Sequence, residues 1–188
     1  MSVDERMVHD IVQKVMANMQ ISGSVSGMHG VFKDMNDAIN ASIEAQKKVC
    51  TMTLDQREQI ISLIRKKTHE NAEILANMGV NETGMGNVGD KILKHHLTAD
   101  KVPGTEDIST IAWSGDRGLT LVEMGPFGVI GAITPATNPS ETVICNCIGM
   151  LAGGNTVVFN PHPNAKKTTI YTINMINEAS IEAGGPDN

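Results

Sequence analysis

The sequence lacks the features that mark several large classes of protein. It has only three cysteines, Cys50, Cys145 and Cys147, and such an odd, sparse set favours reduced intracellular thiols over a disulfide framework. It also lacks a basic excess, because 15 lysines and arginines stand against 21 acidic residues and leave a net charge of -6. Nucleic acid, which requires a basic face, is therefore not an expected partner.

Long apolar segments are missing as well. The first 20 residues carry Asp4, Glu5 and Arg6 and so lack the apolar centre of a secretion signal. No later run reaches the roughly 18 apolar residues of a membrane span. The Walker loop that cradles phosphate in many nucleotide-binding proteins is absent. We therefore expect a cytoplasmic protein with no membrane partner.

Residues 1–20 are expected to form an amphipathic helix. Residues 21–30 follow with the glycine- and serine-rich composition of a flexible linker, so the helix must bury its apolar stripe elsewhere. Docking on its own domain and docking on a partner both remain open. The stripe consists of Val8, Ile11, Val12, Val15, Met16 and Met19, at spacings that share one helical face.

The middle of the chain is expected to supply scaffold helices. Residues 31–78 carry helical periodicity, and Thr53 with Gln56 has the spacing of a capping box at a helix start. Residues 79–114 mix glycines, charges and Pro103, so we interpret them as loop with short helical pieces.

Residues 119–163 indicate alternating strands and helices. Residues 119–123 alternate like a strand, and the continuously apolar residues 128–133 predict a strand covered on both faces, as in a parallel sheet. Asn138, Pro139 and Glu141 then give start signals for a helix from 139 to about 152. A second strand is predicted over residues 155–159.

A last helix is expected after Asn164, which can cap it, and before Gly184. Strand, helix, strand and helix in this order predict an α/β fold with a right-handed parallel crossover. Ligands of such units lie outside the carboxyl ends of the strands, where residues 134–138 and 160–163 are expected.

Two side chains at this edge could take part in catalysis or ligand binding. The Asn138 amide could donate a hydrogen bond to a developing oxyanion, or it could simply cap the helix that follows, and both interpretations stay open. His162 lies between two prolines that stiffen the backbone, so its ring could stack on an adenine or belong to a turn without a ligand.

No metal site and no nucleophile is assigned. Cys145 and Cys147 are two positions apart on a predicted helix, so they point in nearly opposite directions and cannot hold one ion together. Cys145 and Cys147 have no basic neighbour in sequence that would lower the thiol pKa, and Cys50, although it follows Lys47 and Lys48, is not assigned as a nucleophile either. The adjacent His95 and His96 also diverge and are interpreted as part of a solvated face.

The segment VEMGPFGVIGAITPATNPSETVICNCIGMLAGGNTVVFNPHP resembles the aldehyde dehydrogenase superfamily. Its ITPATNP and FNPHP parts resemble the CoA-acylating branch, because hydrolytic members usually end the second strand in a Lys-Pro pair where this chain has Asn160 and Pro161. Weaker matches in residues 53–57 and 82–84 extend the resemblance over residues 31–188.

The resemblance implies that residues 31–188 are the N-terminal part of a Rossmann-like cofactor-binding domain with scaffold helices and a β-ribbon. It implies oxidation of a short aliphatic aldehyde, propionaldehyde or acetaldehyde, to its acyl-CoA with NAD and coenzyme A. The catalytic cysteine would lie on a domain absent from this chain, which alone is expected to be inactive. Residues that would line the crevice are Ile133, Thr134, Pro135, Ala136, Thr137, Asn160, Pro161, His162 and Pro163.

Three further expectations follow from the resemblance. The family's oxyanion-hole asparagine aligns with Thr137 without gaps, and Asn138 lies one place later. Residues 1–20 resemble the encapsulation peptide of bacterial microcompartment enzymes, which favours a shell protein as their partner. Residues 119–128 resemble a subunit-bridging hairpin, which implies a homo-oligomer. The alternatives are a non-catalytic shell-interaction module and a hydrolytic aldehyde dehydrogenase, the latter disfavoured by Asn160 and His162.

Overall fold

The structure is a computed structural model and describes residues 28–187. The predicted helix of residues 1–20 and most of the linker lie outside the described residues. None of the described helices combines the length and apolar character that a membrane crossing requires. The described helices are α1 Met35–Val49, α2 Leu54–Thr83, α3 Val88–Lys101, α4 Pro139–Ala152 and α5 Lys166–Glu182, and the strands are β1 Ile111–Gly115, β2 Gly118–Val122, β3 Val129–Ile133 and β4 Thr156–Asn160.

β3 and β4 form a parallel pair connected by α4, as the sequence predicts. The register runs from Val129 opposite Thr156 to Ile133 opposite Asn160. The Asn155 side chain fixes the start of the pair, because its Oδ1 accepts hydrogen bonds from the backbone N–H groups of Phe127 (2.6 Å) and Gly128 (3.0 Å).

The prediction that residues 128–133 are covered on both faces is wrong for the described chain. Gly131 is exposed, and Ile133 is 86% exposed. β3 pairs along one edge only, and α1 packs chiefly against β4, so the described elements leave much of β3 open.

The core lies between α2, α4 and α5. α2 runs through the middle and contacts both other helices as well as α3. Burying each large aliphatic side chain contributes about 1.5–3 kcal/mol, so this cluster holds the helices beneath the sheet as one body. Its buried members are Ile60, Ile61, Ile64, Leu75, Ile144, Ile148, Ala152, Met175 and Ala179.

Helix starts are only partly those predicted. The Thr53 capping box is present, with Gln56 N donating to Thr53 Oγ1 at 3.2 Å. Asn164, however, does not cap α5, because it lies in a 3₁₀ turn, Pro163–Ala165, before the helix begins. Glu82 at the end of α2 supplies the acceptor instead, from the N–H groups of Lys167 (2.8 Å) and Thr168 (2.7 Å).

The interpretation of residues 79–114 as loop is wrong. α2 extends to Thr83, α3 occupies residues 88–101, and β1 pairs antiparallel with β2. The hairpin therefore spans residues 111–122, and the predicted bounds of 119–128 are wrong because the partner of β2 precedes it in sequence. α3 turns Lys91 and His95 inward while leaving Leu93 and Leu97 exposed, which inverts the usual apolar pattern. Residues 84–89 have glycines at the spacing G-x-G-x-x-G. They lead from α2 into α3 and do not follow a strand, so they are not a dinucleotide-binding fingerprint.

Candidate functional site

Two chain corners meet at the carboxyl ends of β3 and β4. Ile133 lies opposite Asn160 at the end of the register, and the backbone N–H of Thr134 donates to the Asn160 carbonyl at 3.1 Å. Residues 134–138 and 160–163 are therefore neighbours at one edge of the sheet. We call these two segments the first corner and the second corner.

Thr134 places a buried hydroxyl in the first corner. The residue is 2% exposed, and its Oγ1 has no hydrogen-bond partner among the described residues. A buried polar group without a partner costs about 1–3 kcal/mol, so such atoms are uncommon and call for an explanation. A ligand group or an ordered water at this edge would complete the bond.

The Asn138 side chain does not cap α4. No capping hydrogen bond from it is found, and its Oδ1 instead accepts from Lys94 Nζ at 3.0 Å. The capping interpretation is therefore wrong. Because a lysine ammonium only donates, the carboxamide oxygen must face Lys94, which leaves the NH₂ group without a partner in residues 28–187.

A buried ion pair lies beneath the first corner. Lys91, which is 3% exposed, donates to the Thr137 carbonyl at 3.0 Å and to Glu141 Oε1 at 3.2 Å. Taking two charges out of water offsets much of their attraction, so such pairs contribute little net stability but hold a defined geometry. Here that geometry fixes the backbone immediately before α4.

His95 extends this network, contrary to the expectation of a solvated face. It is fully buried, with Nδ1 2.7 Å from the Lys91 carbonyl and Nε2 2.7 Å from Ser140 Oγ. Burial lowers the pKa of His95, and the charges of Lys91 and His96 add to that, while Glu141 and the carbonyl bond oppose it. The neutral ring therefore donates from Nδ1 and accepts from Ser140.

His96, next to His95, faces a different element. Its Nδ1 lies 2.7 Å from Nδ1 of His69 on α2, and the two rings stack with centroids 4.9 Å apart. The periodicity of apolar residues does not predict the contact of His95 with Ser140 or that of His96 with His69. The available signal was the i,i+4 spacing of Lys91 and His95 together with polar residues in the first turn of α4.

The second corner presents an oriented imidazole. His162 is exposed, and its Nδ1 accepts from the backbone N–H of Asn164 at 3.1 Å, which fixes the ring plane and leaves Nε2 outward. Pro161 and Pro163 restrict the backbone on both sides. The Asn160 side chain is exposed beside it.

A cavity of about 570 Å³ lies beside β4, lined largely by apolar side chains of α1, β4 and α5. It reaches Asn160 and Pro163 but none of residues 133–138. Because it touches only one corner, the juxtaposition of both corners defines the candidate site.

The cysteines lie away from this chemistry. Cys145 is exposed and Cys147 is buried, as expected for opposite faces of α4, and burial raises the pKa of Cys147 to about 12. That thiol stays protonated at neutral pH and is not a nucleophile. In residues 28–187 no group of three or more His, Cys, Asp or Glu side chains could hold a metal ion.

A parallel strand–helix–strand unit with polar corners at its carboxyl edge is a partial Rossmann-like domain. The sequence profile of the aldehyde dehydrogenase family matches residues 15–186, and the chain belongs to this family. The resemblance inferred from the two corner motifs is thereby confirmed.

Similar proteins refine this membership. An acetylating acetaldehyde dehydrogenase from Bilophila wadsworthia is 46% identical over 193 residues, covering 98% of this chain and 40% of the relative. A propionaldehyde dehydrogenase from the Clostridium phytofermentans fucose utilisation microcompartment is 74% identical, with a TM-score of 0.82, over 84% of this chain and 36% of that chain.

A third similar protein is the Rhodopseudomonas palustris propionaldehyde dehydrogenase, solved with bound CoA and an acylated cysteine. It is 46% identical, with a TM-score of 0.81, over 84% of this chain and 36% of that chain. This chain therefore spans 40% or less of each of the three relatives. The expected fold, a partial α/β domain of an aldehyde dehydrogenase, is confirmed.

Proposed function

We propose that this chain is the N-terminal part of a CoA-acylating aldehyde dehydrogenase. The enzyme oxidises a short aliphatic aldehyde, propionaldehyde or acetaldehyde, to its acyl-CoA with NAD. The single observation that carries the proposal is the juxtaposition of the first and second corners, joined by the bond from Thr134 N–H to the Asn160 carbonyl. The three relatives named above, which act on acetaldehyde or propionaldehyde, support the substrate class.

The residues of both corners fit a dinucleotide and CoA. The unpartnered Thr134 hydroxyl can bond a polar ligand group, and the fixed His162 ring can stack on an adenine. Exposed Ile133 and half-buried Pro161 give apolar contact beside them, and Pro135, Ala136, Asn160 and Pro163 complete the lining. Bound NAD would supply the hydride acceptor.

Asn138 is proposed as the oxyanion donor. An aldehyde carbonyl gains negative charge on its oxygen when a thiolate attacks, and a fixed amide NH₂ stabilises that charge. Thr137 is the alternative from the ungapped alignment. Asn138 is preferred because its NH₂ has no partner among the described residues, whereas Lys91 engages only the backbone of Thr137.

The attacking thiolate is proposed to come from a part of the polypeptide that this chain does not contain. Cys147 is excluded because burial keeps its thiol protonated, with a pKa of about 12. The acylated cysteine of the Rhodopseudomonas palustris enzyme supports covalent catalysis by a thiol. Residues 1–188 alone are accordingly expected to turn over no aldehyde.

The decisive experiment assays the full-length polypeptide that carries this chain. With propionaldehyde and NAD, we expect NADH and propionyl-CoA when CoA is present, and acetyl-CoA when acetaldehyde replaces propionaldehyde. NADH formation is followed by absorbance and the thioester by mass spectrometry. Free propionate formed at the same rate without CoA would establish the hydrolytic alternative and contradict the proposal.

We also propose that residues 1–20 direct the protein to the lumen of a bacterial microcompartment by binding a shell protein. The apolar stripe of residues 1–20 and the microcompartment origin of the Clostridium phytofermentans relative support this. Deleting residues 1–20 should abolish co-sedimentation with shells while kcat stays unchanged. Shell binding by an aldehyde-inactive full-length protein would favour the non-catalytic interaction module.

A further inference from the structure

Lys94 reaches from α3 to the first corner. The residue is exposed, yet its ammonium lies 3.0 Å from Asn138 Oδ1, the acceptor the structure gives it. An exposed lysine normally stays solvated, because fixing its long side chain costs conformational entropy. This contact therefore matters less for stability than for the orientation of the carboxamide it holds.

The bond selects one of the two orientations of the carboxamide. The terminal torsion of asparagine is broad and roughly two-fold, so a free side chain would present either its oxygen or its NH₂ group to the crevice. With Oδ1 held by a donor that carries no acceptor, the NH₂ group is the one left to donate. The ammonium also polarises the amide and strengthens its N–H donors.

The same helix fixes the backbone one residue earlier. Lys91, one turn before Lys94 on α3, donates to the Thr137 carbonyl at 3.0 Å and is itself held by Glu141. α3 therefore holds the first corner at two points, a backbone carbonyl and a side-chain amide. The buried point sets the position of the corner, and the exposed point sets the direction of the Asn138 amide.

We propose that Lys94 is a positioning residue for Asn138, holding the carboxamide by its oxygen so that its NH₂ group faces the reacting carbonyl. This inference rests on the proposed function of Asn138 as oxyanion donor. In this proposal Lys94 contacts neither aldehyde nor cofactor and acts through Asn138.

The test uses the full-length protein with Lys94→Met, which keeps the aliphatic chain and removes the donor. We expect kcat to fall about tenfold, the equivalent of one lost hydrogen bond to a charged group, with little change in any KM. Lys94→Arg should restore most of kcat because it returns a cationic donor. Lys101→Met, on the same helix and also exposed, is the matched control and should retain full kcat.

A double-mutant cycle tests whether the effect of Lys94→Met on kcat depends on Asn138, which a purely structural role of Lys94 would not require. Asn138→Ala should lower kcat by about 10²–10³, and adding Lys94→Met to it should lower kcat no further. Thermal unfolding of each variant checks that the fold is kept, which the exposure of Lys94 favours.

Three outcomes would overturn the inference while leaving the proposed function in place. Lys94→Met could leave kcat unchanged, or lower it equally with and without Asn138. It could instead raise the KM for NAD or CoA at unchanged kcat, which would make Lys94 a ligand-binding residue. A parent enzyme that forms no acyl-CoA would overturn the proposed function and this inference together.

Discussion

At the scale of single residues, the Thr134 hydroxyl is expected to lower the stability of the fold but to strengthen ligand binding. Thr134→Val keeps the shape and removes a buried hydroxyl with no partner among the described residues. We expect the free energy of unfolding to rise by about 1 kcal/mol, because the desolvation cost of that hydroxyl disappears. We expect the Kd for the nucleotide that uses Thr134 to rise roughly threefold to tenfold, the equivalent of one neutral hydrogen bond.

Urea unfolding and calorimetric titration with NAD and with CoA measure both effects in the full-length protein. Thr134→Ser retains the hydroxyl and is the control for binding. If Thr134→Val bound both nucleotides as tightly as the parent, Thr134 would have no role in recognition.

His95 should make stability depend on pH. In the unfolded chain its ring takes up a proton as the pH falls through about 6.5, whereas burial in the folded protein lowers the pKa of His95 and delays protonation. The unfolded state thus binds more protons below pH 6.5. As the pH is lowered below about 6.5, the free energy of unfolding should decrease by up to about 1.4 kcal/mol per pH unit. The decrease should end when the pH reaches the pKa of His95 in the folded protein.

His95→Gln cannot titrate and should lose this part of the dependence. Urea unfolding of both proteins between pH 7.5 and pH 5.5 gives the comparison, because all other groups are common to them. Parallel curves would show that His95 does not control the acid sensitivity.

Residue-scale prediction from sequence found the corners but not what holds them. Pro161 and Pro163 could be recognised from sequence because proline restricts the backbone locally. The local signal of Asn138, a helix cap, marked the correct position but predicted the wrong contact. Lys91 and His95 do not, because their burial depends on Glu141 and Ser140, some 45–50 positions away in sequence. Only packing of α3 against α4 makes a buried lysine tolerable.

At the scale of helices, Glu82 connects the end of α2 to the start of α5. Its carboxylate accepts two backbone N–H groups and the Thr168 hydroxyl (2.7 Å), which satisfies free donors and places negative charge at the positive end of α5. Glu82→Ala should therefore lower the free energy of unfolding by about 1–2 kcal/mol. Urea unfolding measures the change.

The matched control for this cap is Glu70→Ala on the same helix. Glu70 is exposed, and within residues 28–187 its side chain makes only a long ion pair with Lys66 (3.9 Å), so its loss should cost less than about 0.5 kcal/mol. Equal losses in both variants would mean that Glu82 is not an effective cap.

Helix prediction succeeded where the start signal is local and failed where it is not. Thr53 and Gln56 cap α2 within four residues of sequence, and Pro139 starts α4 as expected. α5 is started by a carboxylate more than 80 residues earlier, so the nearby Asn164 was a misleading signal. β1 was missed because its sequence, IAWSG, is short and ends in Ser and Gly, which are common in turns.

At the scale of the whole molecule, the ribbon of β1 and β2 is the most open part of the described residues. Every residue of both strands is exposed, including Trp113 (57%) and Leu121 (58%). We propose that this exposed apolar surface is an association site in a homo-oligomer, as the family resemblance implies. Trp113 is the single tryptophan of the chain, so it reports on this surface alone.

We predict that the fluorescence emission of Trp113 shifts to shorter wavelength when the concentration of the full-length protein is raised, because subunit assembly buries its ring. Because an enzyme with further tryptophans would obscure this signal, light scattering on a sizing column measures the mass in parallel. Leu121→Lys should reduce the mass, since a charge replaces apolar contact, while Asp116→Lys at the turn should not. A Leu121→Lys protein of unchanged mass would exclude the ribbon as the contact.

The family was predictable at this scale, but the preferred aldehyde was not. The two corners are written in contiguous motifs, so their partnership follows from one crossover between β3 and β4. Substrate selection depends on the walls around the reacting carbon, and these would include the segment carrying the thiolate.

The contrast between the thiols of α4 gives this fold a built-in reporter. At neutral pH a maleimide should label exposed Cys145 and Cys50 at once, whereas Cys147, buried and with its pKa raised to about 12, should react only when the helix lifts from the core. The slow labelling rate would therefore time that opening in an unaltered chain, with no probe added.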